Sequence, residues 1–144
     1  MRGSLLLVST LVVALSACTS GADDPMSEGR RLYLQHCTAC HGDFGEGGIG
    51  RPLADVVSVF PECAIHVTWI TIGSVRWLEE VGPTYGAGNR APEGIMPSFG
   101  GTLTDEQIRV VAAYERADFG GVTESVAFAG CSVALPSEAS AAPS

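Results

Sequence analysis

The sequence predicts an all-α fold, and three observations carry that reading. Thr104 and Gln107 form a capping-box pattern that opens an apolar stripe of helical period, Ile108, Val111 and Ala112. Earlier, the run Ile65 to Ile72 places Ile65, Trp69 and Ile72 on one helical face. Between such runs lie glycine-rich connections, above all Gly42 to Gly50, too rich in glycine for a helix or a central strand. No internal repeat is visible.

The elements follow in chain order. Arg2 precedes an apolar run, Leu5 to Leu15, too short to span a bilayer, which reads as a signal peptide over residues 1–17. It closes on Leu15-Ser16-Ala17-Cys18, which resembles the lipobox of bacterial lipoproteins. Cleavage before Cys18 leaves a cysteine for lipidation, and two acyl chains there hold a protein at a membrane surface. The alternative is ordinary secretory cleavage, after Ser16 or after Ala22. Either way the chain is exported. Residues 18–26 then form a short polar tether, and residues 27–131 the folded domain.

Ser27 is a candidate cap for a first helix, whose Leu32 and Tyr33 lead into Cys37-Thr38-Ala39-Cys40-His41. In such a CxxCH pentapeptide two thiols can add across the vinyl groups of one haem while the histidine gives its imidazole to the iron. A thioredoxin-like CxxC needs a βαβ context that is not visible here. A zinc site needs a second ligand pair, and Cys63 and Cys131 stand singly. One covalent haem c is therefore the expected cofactor.

The middle helix is expected to end at Gly73. A long connection, residues 79–95, follows, with several Gly and Pro; it either covers a haem edge, contacts a partner or does neither. Next comes Met96-Pro97. Of the three methionines, Met1 leaves with the signal and Met26 precedes the first helix, so Met96 is the candidate sixth ligand. The proline after it restrains its backbone to an extended form that presents the sulfur from a loop. The alternatives are a methionine that only packs, or a second histidine, His66 on the middle helix or His36 beside Cys37.

The last helix starts after Thr104 and stops at Gly120 and Gly121. The two remaining thiols, Cys63 and Cys131, are expected to pair in an oxidising compartment, or else to remain buried and free. Residues 132–144 end in an Ala/Ser/Pro run that reads as an unstructured tail.

The formal charge is −8, there is no lysine, and loss of Arg2 makes it −9. Such a surface argues against nucleic acid and against charge-driven binding to anionic lipid, and it suits a partner with a basic patch.

Taken in order, these features resemble the class I monohaem cytochrome c family over about residues 27–119. Gly29-Arg30-Arg31-Leu32-Tyr33 with Cys37-Thr38-Ala39-Cys40-His41-Gly42 is similar to that family's first helix and haem motif. Met96-Pro97-Ser98-Phe99-Gly100 resembles its methionine loop, and Leu103 to Tyr114 its last helix. The resemblance implies three to five helices wrapped around one covalently bound haem, with first and last helices crossing where Gly29 meets Tyr114. It also implies a backbone carbonyl that orients His41. The family's usual proline is replaced at that place by Arg51, whose carbonyl remains available and whose guanidinium either meets a propionate or lies in solvent.

With His41 and Met96 on the iron no position is open to a substrate, so the expected function is electron transfer without an enzymatic step. The reading is a monomeric, membrane-tethered, extracytoplasmic carrier between respiratory complexes such as a quinol-oxidising complex and a terminal oxidase. One alternative is a haem c subunit bound to a dehydrogenase or oxidase. Another is a haem sensor or small peroxidase in which Met96 dissociates.

Overall fold

Helix α1, Pro25–His36, begins where Asp24 accepts hydrogen bonds from the backbone N–H groups of Met26 and Ser27, with a proline at the first helical position. The cap is therefore Asp24 and not Ser27, whose hydroxyl instead donates to the Asp24 carboxylate at 2.6 Å. Both residue types cap well, and the earlier start places Pro25 at the first helical position, where proline is favoured. This is a computed structural model, and it describes residues 24–134. The signal segment, Cys18 and the tail beyond residue 134 lie outside the described residues.

The described residues form six helices: α1, α2 (Thr38–His41), α3 (Val56–Val59), α4 (Cys63–Glu80), α5 (Asp105–Asp118) and α6 (Glu124–Gly130). Two of these, α2 and α3, are four residues each, so the longer helices fall within the number expected from the sequence. Extended pairing among the described residues is limited to an isolated bridge between Tyr85 and Arg90. No helix among them is long and apolar enough to cross a membrane.

Helix α5 is central. Thr104 Oγ1 accepts from Gln107 N–H at 3.2 Å while the Gln107 side chain accepts from Thr104 N–H at 3.0 Å, the reciprocal cap its sequence promised. Because α1, α4 and α6 all pack against it, α5 is buried on more than one face, from Ile108 through Arg116. Against α1 the approach is close: a Cβ on Gly29 would lie 2.5 Å from Tyr114 Cβ. Only glycine permits that crossing.

The middle helix is longer than its sequence pattern suggested and is broken at Gly73, which has φ 70°. Gly73 thus ends one helical run as expected, but a second run continues to Glu80. The buried face also differs. Trp69 is buried as expected and Ile72 half-buried, but Ile65 is exposed, and Cys63, His66 and Ile70 join the buried face. Apolar periodicity missed this because a histidine occupies a core position. Helix α6 was not read from the sequence, since seven residues between glycines are too few to show a period; its Phe128 is fully buried against the core. Cys63 opens α4 and Cys131 caps α6, with Cα atoms 5.2 Å apart, within the range a disulfide spans.

The apolar interior has two parts. One, between α1, α5 and α6, centres on Leu32, Tyr33, Ile108, Val111 and Phe128. The other is aromatic, Phe60, Trp69, Trp77 and Tyr85 with Val56 and Val59. Met96 packs against both.

Candidate functional site

One wall of the site is the end of α1 and the turn after it. Cys37 N–H donates to Tyr33 carbonyl at 2.8 Å and His41 N–H to Cys37 carbonyl at 2.9 Å, which holds Cys37, Cys40 and His41 on one compact turn. Gly42, at φ 78°, turns the chain out of it, and Tyr33 Oη donates to the Gly42 carbonyl. Cys37 is buried and Cys40 half-buried. Burial, and then the charge and hydrogen bonding of Glu115, hold the Cys37 thiol well above the ordinary range.

The His41 ring is oriented by the chain that follows. Its Nδ1 lies 2.8 Å from the Arg51 carbonyl oxygen, which can only accept, so Nδ1 carries the proton and Nε2 keeps its lone pair. Substituting Arg51 for the usual proline leaves this bond intact. Gly50 lies flat on the ring, for a Cβ there would approach His41 Cε1 to 2.8 Å. That role of Gly50 carried no sequence signal beyond membership of a glycine-rich loop.

The opposite wall is built by the break in α4. A helix that stops at Gly73 leaves carbonyls without partners. The chain after Met96 takes them up: Phe99 N–H donates to Ile70 carbonyl at 3.1 Å and Gly100 N–H to Thr71 carbonyl at 3.0 Å. Ser98 Oγ adds a bond to the Thr71 carbonyl at 2.7 Å. Ser74 holds Met96 from both sides, its N–H donating to Met96 carbonyl at 2.9 Å and its Oγ accepting from Met96 N–H at 3.0 Å. Ser74 drew no notice in the sequence.

Residues 79–95 close the space between the walls. Tyr85 stacks on Trp69 with ring centroids 4.3 Å apart, Trp77 Nε1 donates to the Thr84 carbonyl at 2.9 Å, and Ala87 N–H donates to Val59 carbonyl at 2.7 Å. Arg90 pairs with Asp55 at 2.7 Å and Arg51 with Glu93. The long connection is pinned across the cleft.

The result is one open cleft between the two walls, lined by residues of both and by the connection that closes it. The structure brings Cys37, Cys40, His41 and Met96 to it together, with Trp69 and Tyr85 between the walls. His66 is not among its lining residues. It is buried, stacked on Phe60 and 3.1 Å from Glu115. His36 stands half-buried at the cleft, edge-on to Phe99 at 6.0 Å.

The lining residues fit one haem: two thiols and an imidazole on one turn, a thioether sulfur across from them, and apolar and aromatic surface between. A further sign is Arg51 Nε, which is buried with no hydrogen-bond partner among the described residues, a donor suited to a haem carboxylate. No three of His, Cys, Asp or Glu among the described residues are grouped to hold a bare metal ion.

Comparison with known proteins agrees. The family model for cytochrome C oxidase, cbb3-type, subunit III matches residues 24–114. No curated protein matches the chain. The family match covers most of the described helices and both walls of the cleft. It establishes the cytochrome c fold, haem c as the covalent cofactor, and an extracytoplasmic role in respiratory electron transfer. The chain belongs to the cbb3-type cytochrome c oxidase subunit III family and is a haem c electron-transfer protein.

Proposed function

We propose that Cys37 and Cys40 bind the haem as thioethers, that His41 ligates its iron on one face, and that Met96 ligates it on the other. The observation that supports this most directly is that a single cleft has the turn of Cys37 to His41 at one wall and the loop of Met96 at the other. When bound, haem c supplies a ferric/ferrous couple that takes up and returns one electron. The Arg51 carbonyl keeps His41 Nδ1 protonated, so Nε2 is the ligating nitrogen. Ser74 fixes the Met96 backbone, and a thioether is a weak donor that favours ferrous iron. With His41 and Met96 both holding the iron, the chain would transfer electrons and carry out no catalytic step of its own.

Export and anchoring belong to the same proposal. Residues 1–17 act as the signal, and lipidated Cys18 holds the domain at the membrane surface through residues up to Asp24, where α1 begins. Cys63 and Cys131 form a disulfide, supported by their 5.2 Å Cα separation and by the oxidising compartment. The formal charge, −8 for the whole sequence and −9 once Arg2 leaves with the signal, suits a redox partner with a basic patch. The partners are a quinol-oxidising complex as donor and a terminal oxidase as acceptor. A second reading, a haem c subunit fixed in an oxidase complex, is favoured by the description of the matching family. Copurification with a catalytic chain after detergent extraction separates the two.

The ligand assignment is tested by absorption spectra of oxidised and reduced holoprotein, with and without carbon monoxide, beside Met96→Ala. The wild type should show the weak far-red methionine–iron band and ignore carbon monoxide, and both properties should change in the variant. A wild type that binds carbon monoxide readily, or a variant identical to it, removes Met96 from the iron and favours the sensor or peroxidase reading.

A further inference from the structure

Behind the Cys37 turn lies a pair of polar side chains that electron transfer, as described so far, does not use. Glu115 is 4% exposed and His66 2% exposed, and His66 Nε2 lies 3.1 Å from a Glu115 carboxylate oxygen. A buried carboxylate is costly unless paired, so this position is held for a reason or compensated by one. Glu115 also faces Cys37, the residue proposed as a haem attachment point.

What is the charge of this pair? His66 Nε2 must donate, since an ionised carboxylate only accepts. His66 Nδ1 is buried and meets no hydrogen-bond partner among the described residues. A bare lone pair there is tolerable, whereas an imidazolium would bury a second N–H with nothing to receive it. The geometry therefore favours neutral imidazole beside carboxylate, a net negative charge.

The neighbouring cation, Arg116, makes no ion pair with this carboxylate among the described residues. Arg116, next in sequence and also buried, directs its guanidinium to the Phe60 carbonyl at 2.6 Å and the Pro61 carbonyl at 3.0 Å. At the end of α1 the facing groups are Cys37, which carries no charge as a thioether, and the Tyr33 phenol, and on α5 the Tyr114 phenol, both phenols held protonated chiefly by burial. On α4 the facing group is His66 itself, and from the segment before α4 it is the ring of Phe60, stacked on His66 at 5.1 Å.

We infer that Glu115, held by His66 behind Cys37, is a positioning charge that biases the haem toward its oxidised state. A negative charge without a salt-bridge partner in a poorly screened interior favours ferric over ferrous iron, because the ferric centre carries one more positive charge. His66 fixes the carboxylate beside the attachment turn, and the nearby Cys63 and Cys131 secure the end of α4 that carries His66. This inference deepens the haem assignment above and rests on it.

The test is spectroscopic redox titration of the purified holoprotein as wild type, Glu115→Gln, Glu115→Asp and the double variant His66→Leu/Glu115→Leu. At a fixed ambient potential Glu115→Gln should raise the ratio of reduced to oxidised haem about three- to tenfold, an order set by one partly screened charge. Glu115→Asp, which keeps the charge, should stay near wild type. The far-red methionine–iron band should persist in all, which a merely structural role would not separate from the potential. If Glu115→Gln does not fold with His66 left unpaired, the double variant, which removes both polar groups, should give the same rise. Ratios within about twofold of wild type in whichever of these two folds, or a shift accompanied by loss of the methionine band, overturn the inference. A wild type without covalently bound haem would overturn the haem assignment first, and this inference with it.

Discussion

Gly73 and Met96 meet backbone to backbone: a Cβ on Gly73 would lie 2.6 Å from the Met96 carbonyl oxygen and 2.7 Å from the Pro97 carbonyl carbon. The residue that breaks α4 is thus also the seat of the loop that carries the methionine. Its φ of 70° is one that other L-residues adopt at a cost, and the space beside it is full.

Gly73→Ala should therefore strike the methionine side of the cleft. We expect a loss of about 2 to 4 kcal/mol from backbone strain and the clash together. Unlike an ordinary destabilising change, it should also weaken the far-red methionine–iron band in the folded protein. Denaturant unfolding and absorption spectra on the same sample check both parts.

Gly29→Ala gives the opposite sign from the usual rule. Within a helix, alanine is favoured over glycine by about 1 kcal/mol. Here the added methyl would lie 2.5 Å from Tyr114 Cβ and 3.1 Å from the Val110 carbonyl, so α1 and α5 must part. The clash should win, with a net loss of about 1 to 3 kcal/mol in urea unfolding.

Cys63→Ser with Cys131→Ser tests the proposed disulfide through stability. The two residues are 68 apart in sequence. Closing a loop of that length is worth about 4 kcal/mol in the chain-entropy account. The double serine variant should lose a large part of that, and a reductant should lower the unfolding midpoint of the wild type but not of the variant. Identical midpoints with and without reductant would mean the thiols are free.

High pH should unfold the domain through its buried tyrosines. Burial first, with Glu115 acting on Tyr33 and the hydrogen bond to Asp118 acting on Tyr114, raises both phenols above the ordinary tyrosine value. Their contribution to stability is complete below about pH 10, where the unfolded chain also keeps its phenols neutral. Above that, the unfolded chain loses protons that the folded one retains, so stability falls by up to about 1.4 kcal/mol per pH unit for each tyrosine. Urea midpoints from about pH 8 to about pH 12 should show this decline. Tyr114→Phe should make it shallower.

Much of the site was legible in the chain because its chemistry depends on residue type at short spacing. The pentapeptide Cys37 to His41 places three reactive side chains on one turn whatever surrounds them, and Met96-Pro97 fixes an extended methionine by local sterics. The Thr104 cap was legible for the same reason, since both halves of a capping box lie within four residues. The cap of α1 was less so, because Asp24 and Ser27 are both competent, and Pro25 favours the first of them without excluding the second.

Sequence by itself determined the residue chemistry at the cleft, the main helices and the approximate place of their breaks. Tertiary structure decided what those pieces are used for. That the carbonyls released at Gly73 would be taken up by Ser98, Phe99 and Gly100, that Ser74 would clamp Met96, and that residues 79–95 would roof the cleft all depend on segments distant in the chain. So does the burial of His66 against Glu115, which moved the inner face of α4 away from Ile65. Local patterns report what a segment can do alone, and a buried polar group becomes favourable only when packing delivers its partner.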